Sequence, residues 1–168
     1  TTIVVTEDNK MYADTLATLG DFIIDYNAVK IENIHGHLVG AAGRWSSCLA
    51  FREWFESLQT VCQAAAAFPE AAHNIVYPEP HNDGEGGDSF QAMVLDPEGN
   101  LTIFEGNFAT YAIDKPYAIG SGGVYALCAM DAGADGCTAL QVAMKRDVNS
   151  GGDIMELCLN EEEGEEGE

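Results

Sequence analysis

The chain has 168 residues, enough for one hydrophobic core and scant for two independent ones. Apolar residues make up 46% of it, so it can bury a core and does not read as disordered, yet no run of about 18 apolar residues is present to span a bilayer. Twenty-eight Asp and Glu against seven Lys and Arg give a formal charge of −21, which repels a phosphate backbone and excludes ordinary nucleic-acid binding.

The β-branched run Thr1-Thr2-Ile3-Val4-Val5 and the segment Lys10–Asp14 flank a Glu7-Asp8-Asn9 turn signal, predicting a hairpin that starts at the first residue. Residues 29–34 and 37–43 predict a second hairpin around Gly36. From Ser46 onward, Leu49, Trp54, Phe55, Leu58, Val61, Cys62 and Ala65 keep helical spacing, with Ser46 or Ser47 placed to cap. The stretch 68–88, rich in Pro, Gly, Asn and acids, reads as a surface loop. Residues 90–95 and 101–104 flank Asp96-Pro97-Glu98-Gly99-Asn100 as strand, turn and strand. Residues 121–130 and 137–148 predict two helices, the second capped by Asp135, before a closing strand over 153–159. Strands interleaved with helices, without a fixed-period repeat, predict one α+β layered domain over residues 1–160. Six glutamates within residues 161–168 repel one another and predict a solvated tail.

Residues 1–10 lack the basic-then-apolar layout of a secretory signal, so export and membrane insertion are not expected. Cys48, Cys62, Cys128, Cys137 and Cys158 form no CxxC pair, and an odd, scattered set argues against a disulfide framework. A reducing, cytoplasmic setting follows, and the apolar neighbours of each cysteine predict buried thiols.

The first residue offers chemistry. A hydroxyl is a poor nucleophile at pH 7, whereas an α-amine has an ordinary pKa of about 7.7 to 8.0 and is a base near neutrality. An N-terminal threonine therefore supplies nucleophile and base from one residue, although the terminus alone is far better explained by a threonine that follows an initiator methionine. More of the sequence points the same way. Thr1-Thr2-Ile3-Val4 is followed by Ala13-Asp14-Thr15-Leu16-Ala17-Thr18-Leu19-Gly20, and Val29-Lys30-Ile31 lies ten residues beyond that glycine. Gly40-Ala41-Ala42-Gly43 and Ile119-Gly120-Ser121-Gly122-Gly123 each precede a predicted helix, and Asp147-Val148-Asn149-Ser150-Gly151 comes before the closing strand.

In that order, and over nearly the whole domain, these segments resemble the proteasome β-subunit and HslV family of N-terminal threonine peptidases. The resemblance implies a four-layer αββα sandwich, two β-sheets between two pairs of helices. It implies that Thr1 attacks the scissile carbonyl, that Lys30 lowers the pKa of Thr1, and that Asp14 pairs with the lysine. Ser121, Asp147 and Ser150 would form the network around the terminal amine. The Gly43 N–H would donate to the oxyanion, and Ala41 and Trp45 would shape the pocket before the cut. Residue type alone makes Lys30 and Asp14 a plain ion pair, Ser121 a helix cap, Asp147 a solvated acid, Gly43 a turn residue and Trp45 a core aromatic.

The resemblance further implies unfolded polypeptide or peptide substrates, a homo-oligomeric ring or double ring, and in bacteria a hexameric ATPase that feeds it. No cofactor is implied. His35-Gly36-His37 would place two imidazoles on one strand face, a metal-binding arrangement, but without further ligands at the right spacing they read as ordinary polar strand residues. Two other functions fit the same fold: a silent ring or scaffold subunit, and an N-terminal-nucleophile amidohydrolase acting on a small amide in a closed polar pocket.

Overall fold

The computed structural model describes residues 1–79, 90–106 and 110–159. The predicted solvated tail over 161–168 and residues 80–88 of the predicted loop lie outside the described residues.

Strands β1 (Ile3–Val5), β2 (Lys10–Asp14), β10 (Tyr117–Ile119) and β11 (Ile154–Cys158) form an antiparallel sheet in the order β10-β1-β2-β11. A second antiparallel sheet orders β5 (Ile31–Ile34), β6 (His37–Gly43), β7 (Phe90–Leu95), β8 (Leu101–Glu105) and β9 (Thr110–Ile113) in sequence. The two sheets pack face to face through Ile3, Val5, Met11, Leu38, Met93 and Ile103, each with no more than trace exposure. Outside the first sheet lie α2 (Gly123–Asp131) and α3 (Gly136–Arg146), whose Ala126, Ala139, Leu140 and Ala143 bury against Val4 and Tyr12. Outside the second lies α1 (Trp45–Ala67), which sets Cys48, Phe51 and Phe55 on Val39, Ala92 and Val94. Helices, sheet, sheet and helix give the four layers of an αββα sandwich. On the α1 side the described residues hold one α-helix and a 3-10 helix, Pro69–Asn74, instead of a helical pair.

Several elements depart from the sequence reading. Ala17–Leu19 (β3) and Phe22–Asp25 (β4) form a separate two-stranded hairpin where the sequence reading assigned no strand. Its large side chains, including Leu19, Phe22, Ile23 and Ile24, point into solvent, so no buried alternation marks it. Strands β9 and β10 were also missed, being only four and three residues long. Helix α1 starts one residue early, with Arg44 as its N-cap and no side-chain hydrogen bond, so neither Ser46 nor Ser47 caps it. Asp135 does cap α3, accepting from the Thr138 N–H.

The His35 reading fails for a backbone reason. His35, at φ 50, and Gly36 form the turn between β5 and β6, so His35 and His37 do not alternate along one strand. Of the cysteines only Cys48 is buried; Cys62 and Cys128 are exposed on helix faces turned away from the sheets, and none of the five forms a disulfide. Among the described residues no helix is long and apolar enough to cross a membrane.

Candidate active site

Strand β1 is flanked on both sides, by β10 and β2, so the two residues ahead of it are held by the first sheet. Gly120, at φ 91, turns the chain after β10 so closely past Thr1 that a Cβ there would overlap the Thr1 carbonyl oxygen. Thr1 thus stands at the floor of an open cleft of about 1060 Å³, between the β3–β4 hairpin and the start of α1.

Lys30 leads into β5, with its side chain 3% exposed. Its Nζ donates to Asp14 Oδ1 at 2.9 Å, to the Leu16 carbonyl at 2.6 Å and to Thr1 Oγ1 at 3.1 Å. Three acceptors exhaust the three protons of an ammonium. Asp14 is fully buried and saturated: Oδ1 also accepts from the Thr2 N–H, and Oδ2 accepts from the N–H groups of Leu16 and Gly151. Burial pulls the Lys30 pKa down, opposed by Asp14.

On the other side of Thr1, its amine donates to Ser121 Oγ at 3.1 Å and to the Asn149 carbonyl at 2.5 Å. Ser121 and Ser150 each donate to Asp147 Oδ2 at 2.6 Å, and the Asn149 N–H donates to Oδ1. Asp147 Oδ2 lies 3.9 Å from the amine. Burial would raise the Asp147 pKa, but the donations from Ser121 and Ser150 outweigh it and keep the carboxylate ionised. The amine pKa is lowered from its ordinary 8.0, first by burial and then by the Lys30 charge, against the pull of Asp14 and Asp147. A neutral amine has two N–H groups. With both directed to Ser121 and Asn149, its lone pair is left for the adjacent Thr1 hydroxyl.

The structure therefore brings all the candidate catalytic and pocket residues to one place. Thr1, Lys30, Ala41, Gly43, Trp45 and Ser121 line the cleft, and Asp14, Asp147 and Ser150 lie behind it. Gly43 ends β6 at φ 121, a backbone conformation that favours glycine. Trp45 is 47% exposed on the cleft wall and is not the core aromatic its residue type suggested. Cys48 also lines the cleft, but burial pushes its thiol up to about 11, so it is protonated and a poor nucleophile at neutral pH. Sequence reasoning missed the carbonyls of Leu16 and Asn149, which act through the backbone and carry no residue-type signal, and Gln91 and Glu105, which line the far wall from β7 and β8. No cluster of metal-ligating side chains occurs among the described residues.

No protein-family model and no curated protein sequence matches the chain. Solved structures do. Thiobacillus denitrificans BPH superposes with a TM-score of 0.67 at 19% identity, over 96% of this chain and 100% of that one. The same protein in complex with epoxomicin gives 0.67 at 20%, over 94% and 97%. Eukaryotic HslV from Trypanosoma brucei gives 0.65 at 20%, over 94% and 99%. This chain has the fold that BPH and HslV share, an α+β sandwich of two sheets between helical layers.

Proposed function

We propose that the chain is a threonine-type peptidase of the HslV and proteasome β-subunit kind. The observation that carries the reading is the double engagement of Thr1: Oγ1 accepts from Lys30 at 3.1 Å, while the amine donates to Ser121 and Asn149. In the proposed reaction the amine takes the Oγ1 proton as Oγ1 bonds to the substrate carbonyl carbon, and the Lys30 charge favours the developing alkoxide. The resulting ammonium returns the proton to the departing amine, leaving an ester on Thr1. Water then attacks the ester carbon as the amine accepts its proton, and the amine passes that proton to Oγ1 as the acyl C–Oγ1 bond breaks and the acid is released. Gly43 N–H is the oxyanion donor in this scheme, a contribution of roughly 3 to 4 kcal/mol in other hydrolases. The open cleft, with Ala41 and Trp45 on its wall, suits an extended peptide better than a small amide enclosed on all sides.

The reading requires a free Thr1 amine in the mature protein. Intact-mass and N-terminal analysis of the purified protein, followed by fluorogenic-peptide turnover with and without epoxomicin, tests it. Hydrolysis that epoxomicin stops, with one adduct per chain, supports the reading. A protein that carries a free Thr1 yet neither turns over peptides nor takes up epoxomicin refutes it and leaves the silent ring subunit.

The same reading makes the protein a homo-oligomeric ring or double ring in the cytoplasm, with a hexameric ATPase unfoldase as its feeder. The apolar side chains exposed on the β3–β4 hairpin supply surface for association, and the charge of −21 per chain opposes it, so assembly strengthens as salt screens the repulsion. Light scattering across a salt series checks this, and a particle that stays monomeric throughout ends the ring proposal.

A further inference from the structure

Behind the amine network sits a hydroxyl that the proposed reaction does not use. Thr2 is completely buried, and its Oγ1 lies 2.8 Å from Ser150 Oγ. The direction of every bond in this chain of hydroxyls can be worked out. Asp147 accepts only, so Ser150 spends its one proton on Asp147 Oδ2 and must accept from Thr2. Ser121 faces two acceptors, Asp147 Oδ2 at 2.6 Å and the Thr1 carbonyl at 3.2 Å, and its proton goes to the nearer, so the amine donates to Ser121. Two hydroxyl arms thus meet on one carboxylate oxygen, one beginning at Thr2 and the other at the Thr1 amine.

The surroundings leave Thr2 little alternative. A Cβ on Gly122 would overlap Thr2 Oγ1 and lie 3.1 Å from Asp147 Oδ2, so the backbone itself walls the hydroxyl in. The Thr2 N–H is meanwhile fixed on Asp14 Oδ1 at 2.8 Å, the same oxygen that holds Lys30. One residue therefore touches both halves of the site, the lysine side through its backbone and the amine side through its hydroxyl.

We propose that Thr2 is a positioning residue for the reaction at Thr1, its buried hydroxyl donating to Ser150 and so strengthening the Ser150 donation to the Asp147 Oδ2 that Ser121 shares. The inference rests on the peptidase reading for its consequence in turnover, but its physical content concerns the Thr1 amine alone. Donors in a hydrogen-bond chain strengthen one another, so loss of the Thr2 hydroxyl weakens the Ser150 donation and leaves more uncompensated charge on Asp147. That charge favours the ammonium form of Thr1. The charged groups that bear on the amine are Lys30, which opposes its protonation, and Asp14 and Asp147, which favour it. Only Asp147 is reached by the Thr2 hydroxyl.

The test compares Thr2→Ser, which keeps the hydroxyl, with Thr2→Ala, which differs from it by that oxygen alone. The readout is the pH midpoint for acylation of the Thr1 amine by a small anhydride, followed by intact mass, with kcat/KM against pH measured in parallel. Thr2→Ser should keep the wild-type midpoint, and Thr2→Ala should raise it by roughly half a pH unit, about threefold less free amine below the midpoint. In a Ser150→Ala background, which already cuts the arm, Thr2→Ala should add no further shift. A Thr2→Ala midpoint equal to that of Thr2→Ser overturns the proposal, as does a shift that persists in full without Ser150. Because amine labelling needs no turnover, an inactive wild-type protein would refute the peptidase reading while leaving this result to be read separately.

Discussion

In Asp14→Asn the side chain keeps its shape and loses both its charge and half of its acceptors. Each carboxylate oxygen accepts twice, Oδ1 from Thr2 N–H and Lys30 and Oδ2 from the N–H groups of Leu16 and Gly151. Whichever way the new amide is turned, its NH2 group faces two donors at one of those positions. Lys30 meanwhile loses its counter-ion at 3% exposure. Breaking a buried pair in this manner costs roughly 3–5 kcal/mol, a large part of the roughly 5–15 kcal/mol that holds a domain folded. At about 2–4 °C per kcal/mol for a chain of this size, the melting temperature should fall by about 10 °C. Lys30→Met makes the contrast. It leaves Asp14 with three backbone N–H donors, so most of its acceptor sites stay filled and its cost should be nearer ~2 kcal/mol. Both variants should lose peptide turnover. Urea unfolding of the two proteins side by side is the assay, and a Lys30→Met protein as unstable as Asp14→Asn, or more so, would refute the assignment of Asp14 as the saturated centre of the pair.

Thr1→Ala should abolish hydrolysis and leave the circular-dichroism spectrum and melting temperature close to wild type, because Thr1 precedes β1 and its side chain is 24% exposed; undiminished turnover would place the nucleophile elsewhere. For the pH profile, a base whose pKa is lowered from 8.0 in the folded protein loses activity as pH falls through that lowered value, so the acidic limb of kcat/KM should lie below 8.0, and a limb above it contradicts the buried amine beside Lys30. Gly122→Ala should destabilise by about 1–3 kcal/mol through overpacking against Thr2 and Asp147 and should depress turnover as well, which melting and peptide assays measure together.

Most strands of the two sheets and the three helices were legible because their sequences obey simple rules. Strands β1 and β6 are β-branched or small and apolar, α1 repeats at helical spacing, and α3 opens on an Asp that does cap it. The β3–β4 hairpin was illegible for the opposite reason: its strands show no burial at one face, so their side chains carry no period of two. The apolar neighbours of Cys62 and Cys128 were misleading because an apolar neighbour in sequence lies a hundred degrees away around a helix. At the site, Lys30, Asp14, Ser121, Asp147 and Ser150 were found through a family pattern, since each alone reads as an ordinary polar residue. What no pattern conveys is the part played by main-chain atoms, the carbonyls of Leu16 and Asn149 and the N–H groups of Thr2, Leu16 and Gly151, for which any residue type serves.

Gly40 is buried, and a Cβ there would lie 2.9 Å from Ile3 Cγ2 and 3.1 Å from Ile31 Cγ2, so this is a point of closest approach between the sheets. Ile3 is two residues from Thr1, Ile31 follows Lys30, and Gly40 is three residues from Gly43. The gap across which nucleophile, lysine and cleft wall face one another is therefore gauged by the thickness of a hydrocarbon layer. Drift in that layer over evolutionary time would retune the reaction without altering any reacting group, and a methyl gained at one of these three positions would have to be answered by one lost at another. Laboratory evolution of the protein would then be expected to accumulate paired changes at positions 3, 31 and 40, away from the cleft.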